Sequence, residues 1–121
     1  MQRSSAERMK VACTLLAESE RRYLLYQLAD DECATIEGLI DQIAAWEEGV
    51  PEDEVPKGTR QTLYISLVHN HLPRLADYEI VDYDLRSGDV VLAEGFEDVK
   101  PILEQFKQTE EVPEIRERPP L

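Results

Sequence analysis

Positive charge is in short supply in this chain. Its 121 residues carry 13 Lys and Arg, only 4 of them Lys, against 26 Asp and Glu, for a formal net charge of −13. Proteins that coat nucleic acid are basic, and anionic lipid surfaces attract clusters of Lys and Arg, so the totals argue against both partners. Cysteine is scarce as well. Cys13 and Cys33 form no CxxC pair and are too few for a disulfide framework, so both are expected as small buried apolar side chains. No segment approaches the ~18 apolar residues of a membrane span. The apolar stretch 10–17 is short and is followed by Glu18-Ser19-Glu20-Arg21-Arg22 rather than a cleavage site, so a helix is expected there and not a signal peptide. A glycine-rich phosphate loop is missing, and so is a Cys-His pair with a third orienting group. No enzymatic activity, catalytic residue or cofactor is expected.

A hydrophobic content of 42% supports one globular domain with a real core. More than one residue in five is acidic, and Lys is rare. This composition suits a cytoplasmic protein of a halophile, where carboxylates keep the surface hydrated in concentrated salt.

Helical spacing places Met9, Ala12, Cys13 and Leu16 on one face of a first helix. Ser19 can cap a second helix, Glu20 to Ala29, with Arg21 and Arg22 in solvent. Cys33-Ala34 reads as a very short strand, and Thr35 caps a third helix. That helix buries Ile36, Leu39, Ile40, Ile43 and Trp46 and stops at Gly49, with Trp46 expected against the next helix. An acidic connection, 47–54, leads to a long helix from Gly58 or Thr59 to about Asp77. Its predicted buried stripe is Tyr64, Leu67, Val68, Leu72 and Leu75, with Thr62, Ser66, His69, Asn70 and Pro73 opposite and a kink at Pro73. Ile80–Asp84 and Asp89–Ala93 form a hairpin in which Val81, Tyr83 and Leu85 alternate with Asp82 and Asp84. A last helix, about Glu97–Gln108, aligns Val99, Ile102, Leu103 and Phe106, and tolerates Pro101 only in its first turn. Residues 1–108 are thus one domain, and 109–121, with Pro113, Pro119 and Pro120, a flexible tail.

The fold class is mainly α with a small β-hairpin wing. It is a winged helix-turn-helix with additional N- and C-terminal helices, in which the long helix would enter a DNA major groove. Leu16 to Leu25 resembles the "L-(A/S)-x-x-x-R-x-x-(I/L)-L" opening of ArsR-like regulators, and His71 to Val81 their junction between recognition helix and wing. Arg22-Tyr23, Ala44-Ala45-Trp46-Glu47 and the run from Tyr64-Ile65-Ser66-Leu67 to Leu75 are similar to the marks of a haloarchaeal family of small winged-helix domains of unestablished function. The resemblance covers about residues 8–105 and implies the fold more than an activity. Against the ArsR pattern, the gap between the two core helices far exceeds a turn of about three to four residues. Glu79 also stands where a glycine is usual, and metal-sensing thiolates are missing.

One absence points the other way from the total charge. Val55 to Ala76 contains no Asp or Glu in 22 residues, where the chain average predicts between four and five. The window carries +3, leaving −16 on the other 99 residues. A buried helix is acid-poor anyway, but Thr62, Ser66, His69 and Asn70 are polar and expected outside. These four are the candidate base readers, Asn70 by a bidentate pair with adenine. Lys57, Arg60, Arg74 and, at the wing tip, Arg86 are the candidate phosphate contacts. His69 and His71 point to nearly opposite sides, so no metal site is expected, and His71 is expected half-buried on a backbone group. The function expected is a sequence-specific DNA-binding transcriptional regulator, acting as a homodimer through its terminal helices. The alternative is a protein-interaction module on the same fold, docking or dimerising through those helices without DNA.

Overall fold

The computed structural model describes residues 4–110. The first helix, α1 (Ser5–Leu16), starts from a reciprocal cap. The Ser4 hydroxyl accepts the Glu7 N–H at 3.1 Å, and the Glu7 carboxylate accepts the Ser4 N–H at 3.0 Å. Its buried face is Ala12, Leu15 and Leu16, while Met9 and Cys13 are exposed. The expected stripe is rotated because α1 packs against the last helix as well as the second, which draws Leu15 inward. Helix α2 (Ser19–Asp31) ends where Glu32 turns left-handed, at φ 68°, and returns its N–H to the Leu28 carbonyl.

Strand β1 (Cys33–Thr35) is an edge strand paired only with β3, so Cys33, like Cys13, is exposed rather than buried. Thr35 then caps α3 (Ile36–Glu48) by accepting the Gly38 N–H at 3.0 Å. Gly49 closes it at φ 70°, a conformation that costs glycine little. Trp46 meets Tyr23 of α2 edge-on, with ring centroids 5.1 Å apart.

After a 3-10 turn (Glu52–Glu54), α4 (Lys57–Ser66), a π-helical turn (Leu67–His71) and α5 (Leu72–Asp77) run on as one rod. The π turn lies just before Pro73, where the kink is expected. The Leu72 N–H reaches back five residues to the Leu67 carbonyl, just before Pro73 withholds its own donor from the ladder. The extra residue also slips the helical phase. Leu63, Leu67, His71, Leu72 and Leu75 are buried, and Tyr64, expected inside, is exposed.

The rod ends in a Schellman cap: Ile80 N–H binds the Leu75 carbonyl at 3.0 Å and Glu79 N–H the Ala76 carbonyl at 2.9 Å. Glu79 holds φ 59° there, which accounts for the glycine of the resembling pattern. Since a left-handed residue with a Cβ costs about 1–2 kcal/mol, Glu79→Gly should raise unfolding stability by about 1 kcal/mol in urea titration, net of the entropy glycine adds to the unfolded chain.

Strands β2 (Val81–Asp84) and β3 (Asp89–Leu92) form the wing, with Val81 opposite Leu92 and Asp84 opposite Asp89. β1 joins the other edge of β3, giving the antiparallel order β1-β3-β2. Leu85 departs from the expected alternation, being exposed in the turn at 54%. Helix α6 (Phe96–Thr109) buries Phe96, Val99 and Leu103. Pro101 lies beyond its first turn, contrary to expectation, on an exposed side where water can satisfy the carbonyl it leaves unbonded. The architecture is α-rich and winged-helix-like. The tail expected from Thr109 to Leu121 falls, from residue 111 onward, outside the described residues.

Arg21 and Arg22 are not in solvent, as helix periodicity alone suggested. Both turn back to the end of α1, whose last carbonyls lack intrahelical donors. Arg21 Nη1 donates to the Leu15 carbonyl at 3.1 Å, and Arg22 Nη1 to that of Leu16 at 2.7 Å. Arg22 then clasps Glu110 with two 2.8 Å bonds and lies over the Phe106 ring, tying α2 to the end of α6.

Candidate nucleic-acid interface

The rod exposes a ridge without carboxylates. Gln61, Ile65 and His69 follow one another at i, i+4 and i+8, all exposed, with Lys57 in the first turn. Tyr64 stands beside them at 47% exposure, and Thr62 and Asn70 are exposed too. Ser66 is only half-buried surface at the end of α4. Of the expected base readers, then, Thr62, His69 and Asn70 reach the surface freely. Gln61, Tyr64 and Ile65 join them, displaced outward by the phase slip that Pro73 signals in the sequence.

The cationic groups divide into two sorts. The Arg60 guanidinium is held by the Asp41 carboxylate and donates to the Glu52 carbonyl at 2.6 Å, fastening α4 to α3 and the 3-10 turn. It is therefore engaged in the fold rather than presented outward. Arg74 Nε donates to Asn70 Oδ1 at 2.8 Å. That bond takes one of the two lone pairs of the Asn70 oxygen, leaving the other and the amide donor for a base edge. Lys57 and Arg86 are exposed, the latter in the β2–β3 turn.

Carboxylates flank the ridge on both sides, but most are damped. A groove of about 540 Å³ between α3 and α4 is lined by Ile40, Tyr64 and Ile65, with Glu37, Asp41 and Lys57 among its polar groups. Asp41 is neutralised by Arg60, and Glu37 stands open. The groove continues along Tyr64 to Leu85 and Arg86 of the wing turn. Tyr64, Ile65 and Leu85 thus make a connected apolar patch rather than scattered surface residues.

On the other side a smaller cleft is lined by Glu20, Glu47 and Thr62. Burial in this cleft, then the bond to Glu20, push the Glu47 carboxyl up to about 7. Its proton is shared with Glu20, whose own value is lowered first by the hydrogen bond to His71.

His71 holds the rod in place from beneath. Its Nδ1 accepts from Arg21 Nε at 3.0 Å, and its Nε2 lies 2.9 Å from Glu20 Oε1. Because a guanidinium only donates, Nδ1 carries the lone pair and the Nε2 proton points to Glu20. The ring is 4% exposed and bonds side chains, not the backbone group expected. A buried network from the α1 carbonyl through Arg21 and His71 to Glu20 thus fixes the π turn against α2. Among the described residues every buried side-chain nitrogen and oxygen has a partner, and no group of three His, Cys, Asp or Glu could hold a metal ion. No described helix is long and apolar enough to cross a membrane.

Compared with known proteins, residues 13–91 match a family described as a domain of unknown function, DUF7344. No curated protein and no solved structure matches the chain. The match spans the helices from the end of α1 through the rod and into β3, so it contains the ridge, the His71 network and both faces of the groove.

Proposed function

The chain belongs to the DUF7344 family, a domain of unknown function, so its own surface must supply the activity, and we propose that it is a sequence-specific DNA-binding transcriptional regulator. The rod 57–77 lies in the major groove with Gln61, Thr62, Ile65, His69 and Asn70 towards base edges. Lys57 and the wing-tip Arg86 bond phosphates, and Arg74 does so beyond Asn70. The observation that carries this reading is the exposed ridge of the rod, free of carboxylates in a chain of net charge −13.

The acidic remainder belongs to a cytoplasmic protein of a haloarchaeon. At molar salt the Debye length falls to about 3 Å, so the surrounding carboxylates no longer repel DNA at a distance. A homodimer would set two rods about one DNA turn apart. The apolar faces of α1 and α6 pack within the chain, so its interface would draw on what they leave outside, Met9 and the half-buried Ile102 and Phe106.

The second reading, a protein-interaction module without DNA, is favoured by the apolar patch of Tyr64, Ile65 and Leu85. Titrating the chain against a random duplex pool from roughly 0.2 to 2 M KCl separates the two. Binding within this range, lost at least tenfold in a Gln61→Glu, Asn70→Glu double variant, is the expected result. A folded protein that binds no duplex at any salt belongs to the second reading, and binding that survives the double variant places the reader elsewhere.

A further inference from the structure

We infer that the reading face selects A·T-rich sites by packing Ile65 and Tyr64 against thymine methyl groups. The inference rests on the DNA-binding reading and specifies what that surface recognises. Guanine is read chiefly by Arg or Lys paired to its O6 and N7 acceptors. Arg60 is engaged with Asp41 and the Glu52 carbonyl, and Arg74, tied through Nε to Asn70, is the arginine assigned above to a phosphate. Lys57 lies in the first turn, on the groove wall with Glu37 and Asp41. A strongly hydrated ammonium on a flexible stem suits a phosphate better than a fixed pair of base acceptors.

What the middle of the ridge offers instead is a primary amide, Gln61, followed one turn on by Ile65 at 58% exposure. Gln is matched to adenine, by donating to N7 and accepting from the N6 amine. The pyrimidine of the same base pair, or of its neighbour, places its C5 methyl in the major groove, within reach of the next turn of the helix. Tyr64 broadens the apolar side of the ridge towards the wing, where Leu85 continues it. A connected apolar patch beside an adenine-matched amide is the complement of A·T pairs. Salt strengthens the argument. The counterion-release contribution of phosphate contacts largely vanishes at molar ionic strength, whereas apolar contact does not depend on it. A chain of net charge −13 that binds DNA in concentrated salt needs a term of this kind.

The test uses the full chain at about 1 M KCl. Duplexes selected from a random pool are rebuilt with deoxyuridine in place of thymidine at single positions, which removes the methyl and leaves the pairing edge intact. The expected result is A·T-rich selected sites, with a loss of about three- to fourfold per contacted methyl, the equivalent of one buried carbon. In Ile65→Ala, whose side chain is exposed and not needed for the core, the uracil and thymine duplexes should bind equally at the position Ile65 covers. Selected G·C-rich sites, or equal affinity of the wild-type chain for thymine and uracil duplexes, would overturn the inference while leaving DNA binding in place. Absence of duplex binding at every salt concentration would overturn both.

Discussion

Gly95→Ala should destabilise the domain by about 3 kcal/mol or more, or prevent folding, although Gly95 has an unremarkable φ of −68°. The cause is space, not backbone freedom. A Cβ at Gly95 would lie 2.5 Å from the Tyr78 carbonyl oxygen and 2.7 Å from that of Glu79. Both are backbone atoms of the Schellman cap, so neither can swing aside as a side chain would. The same segment is stitched by Gly95 N–H to the Glu79 carbonyl at 2.7 Å and Ala93 N–H to that of Ile80 at 2.8 Å. The wing therefore returns to the body of the domain through a backbone-to-backbone contact, which fixes where the hairpin stands relative to the rod. Urea and thermal unfolding measure the loss. An Ala variant of near wild-type stability would show that the chain can part here without penalty.

Arg22→Ala should cost about 3 kcal/mol. The substitution removes both bonds to Glu110, the donor to the Leu16 carbonyl and the cover over Phe106. It also leaves the Glu110 carboxylate with only the Tyr26 hydroxyl. The side chains of the pair are 13% and 20% exposed, so solvent recovers part of the loss and the value sits at the low end for a buried pair. The pH dependence distinguishes this cause from loss of packing. Burial pushes Glu110 up, but the Arg22 guanidinium and the Tyr26 hydroxyl hold it, on balance, below the ordinary carboxylate value. A depressed carboxylate contributes stability that is present above its unfolded value and lost as pH falls through its folded one. The gap between wild type and Arg22→Ala should therefore narrow as pH is taken from about 6 to about 3. A gap that stays constant would assign the effect to the stem and ring contact alone.

Most elements whose signals are local stand where the sequence puts them, although Ser19, expected to cap α2, is its first helical residue and Glu18 holds the cap position without a side-chain bond. Thr35 caps and Gly49 stops α3, and the wing forms around the turn that Gly88 closes at φ 81°. Signals that depend on a distant partner were not legible. Arg21 and Arg22 look like the wet side of a helix until residues 50 and 88 positions away arrive to accept their protons. Cys13 and Cys33 are apolar enough to be buried, yet the packing of α1 against α6 as well as α2 and the free edge of β1 leave them outside.

The candidate site was half legible. A window without acids marks the right rod, but a uniform rotation of 100° per residue carried through the π turn places Tyr64 inside. Pro73 gives notice that the ladder must change, and not by how much. Correcting the phase adds Gln61, Tyr64 and Ile65 to the surface. The Asp41 carboxylate and the Glu52 carbonyl retire Arg60 to the α3–α4 joint, and the face becomes less cationic and more apolar than residue counts implied.

The most direct measurement is residue-resolved: amide shifts of the labelled chain, titrated at about 1 M KCl with a duplex it selects. Changes concentrated between Lys57 and Asn70 and in the wing turn, Leu85–Gly88, are predicted. Changes confined to α1 and α6, or no change with any duplex, would contradict the account.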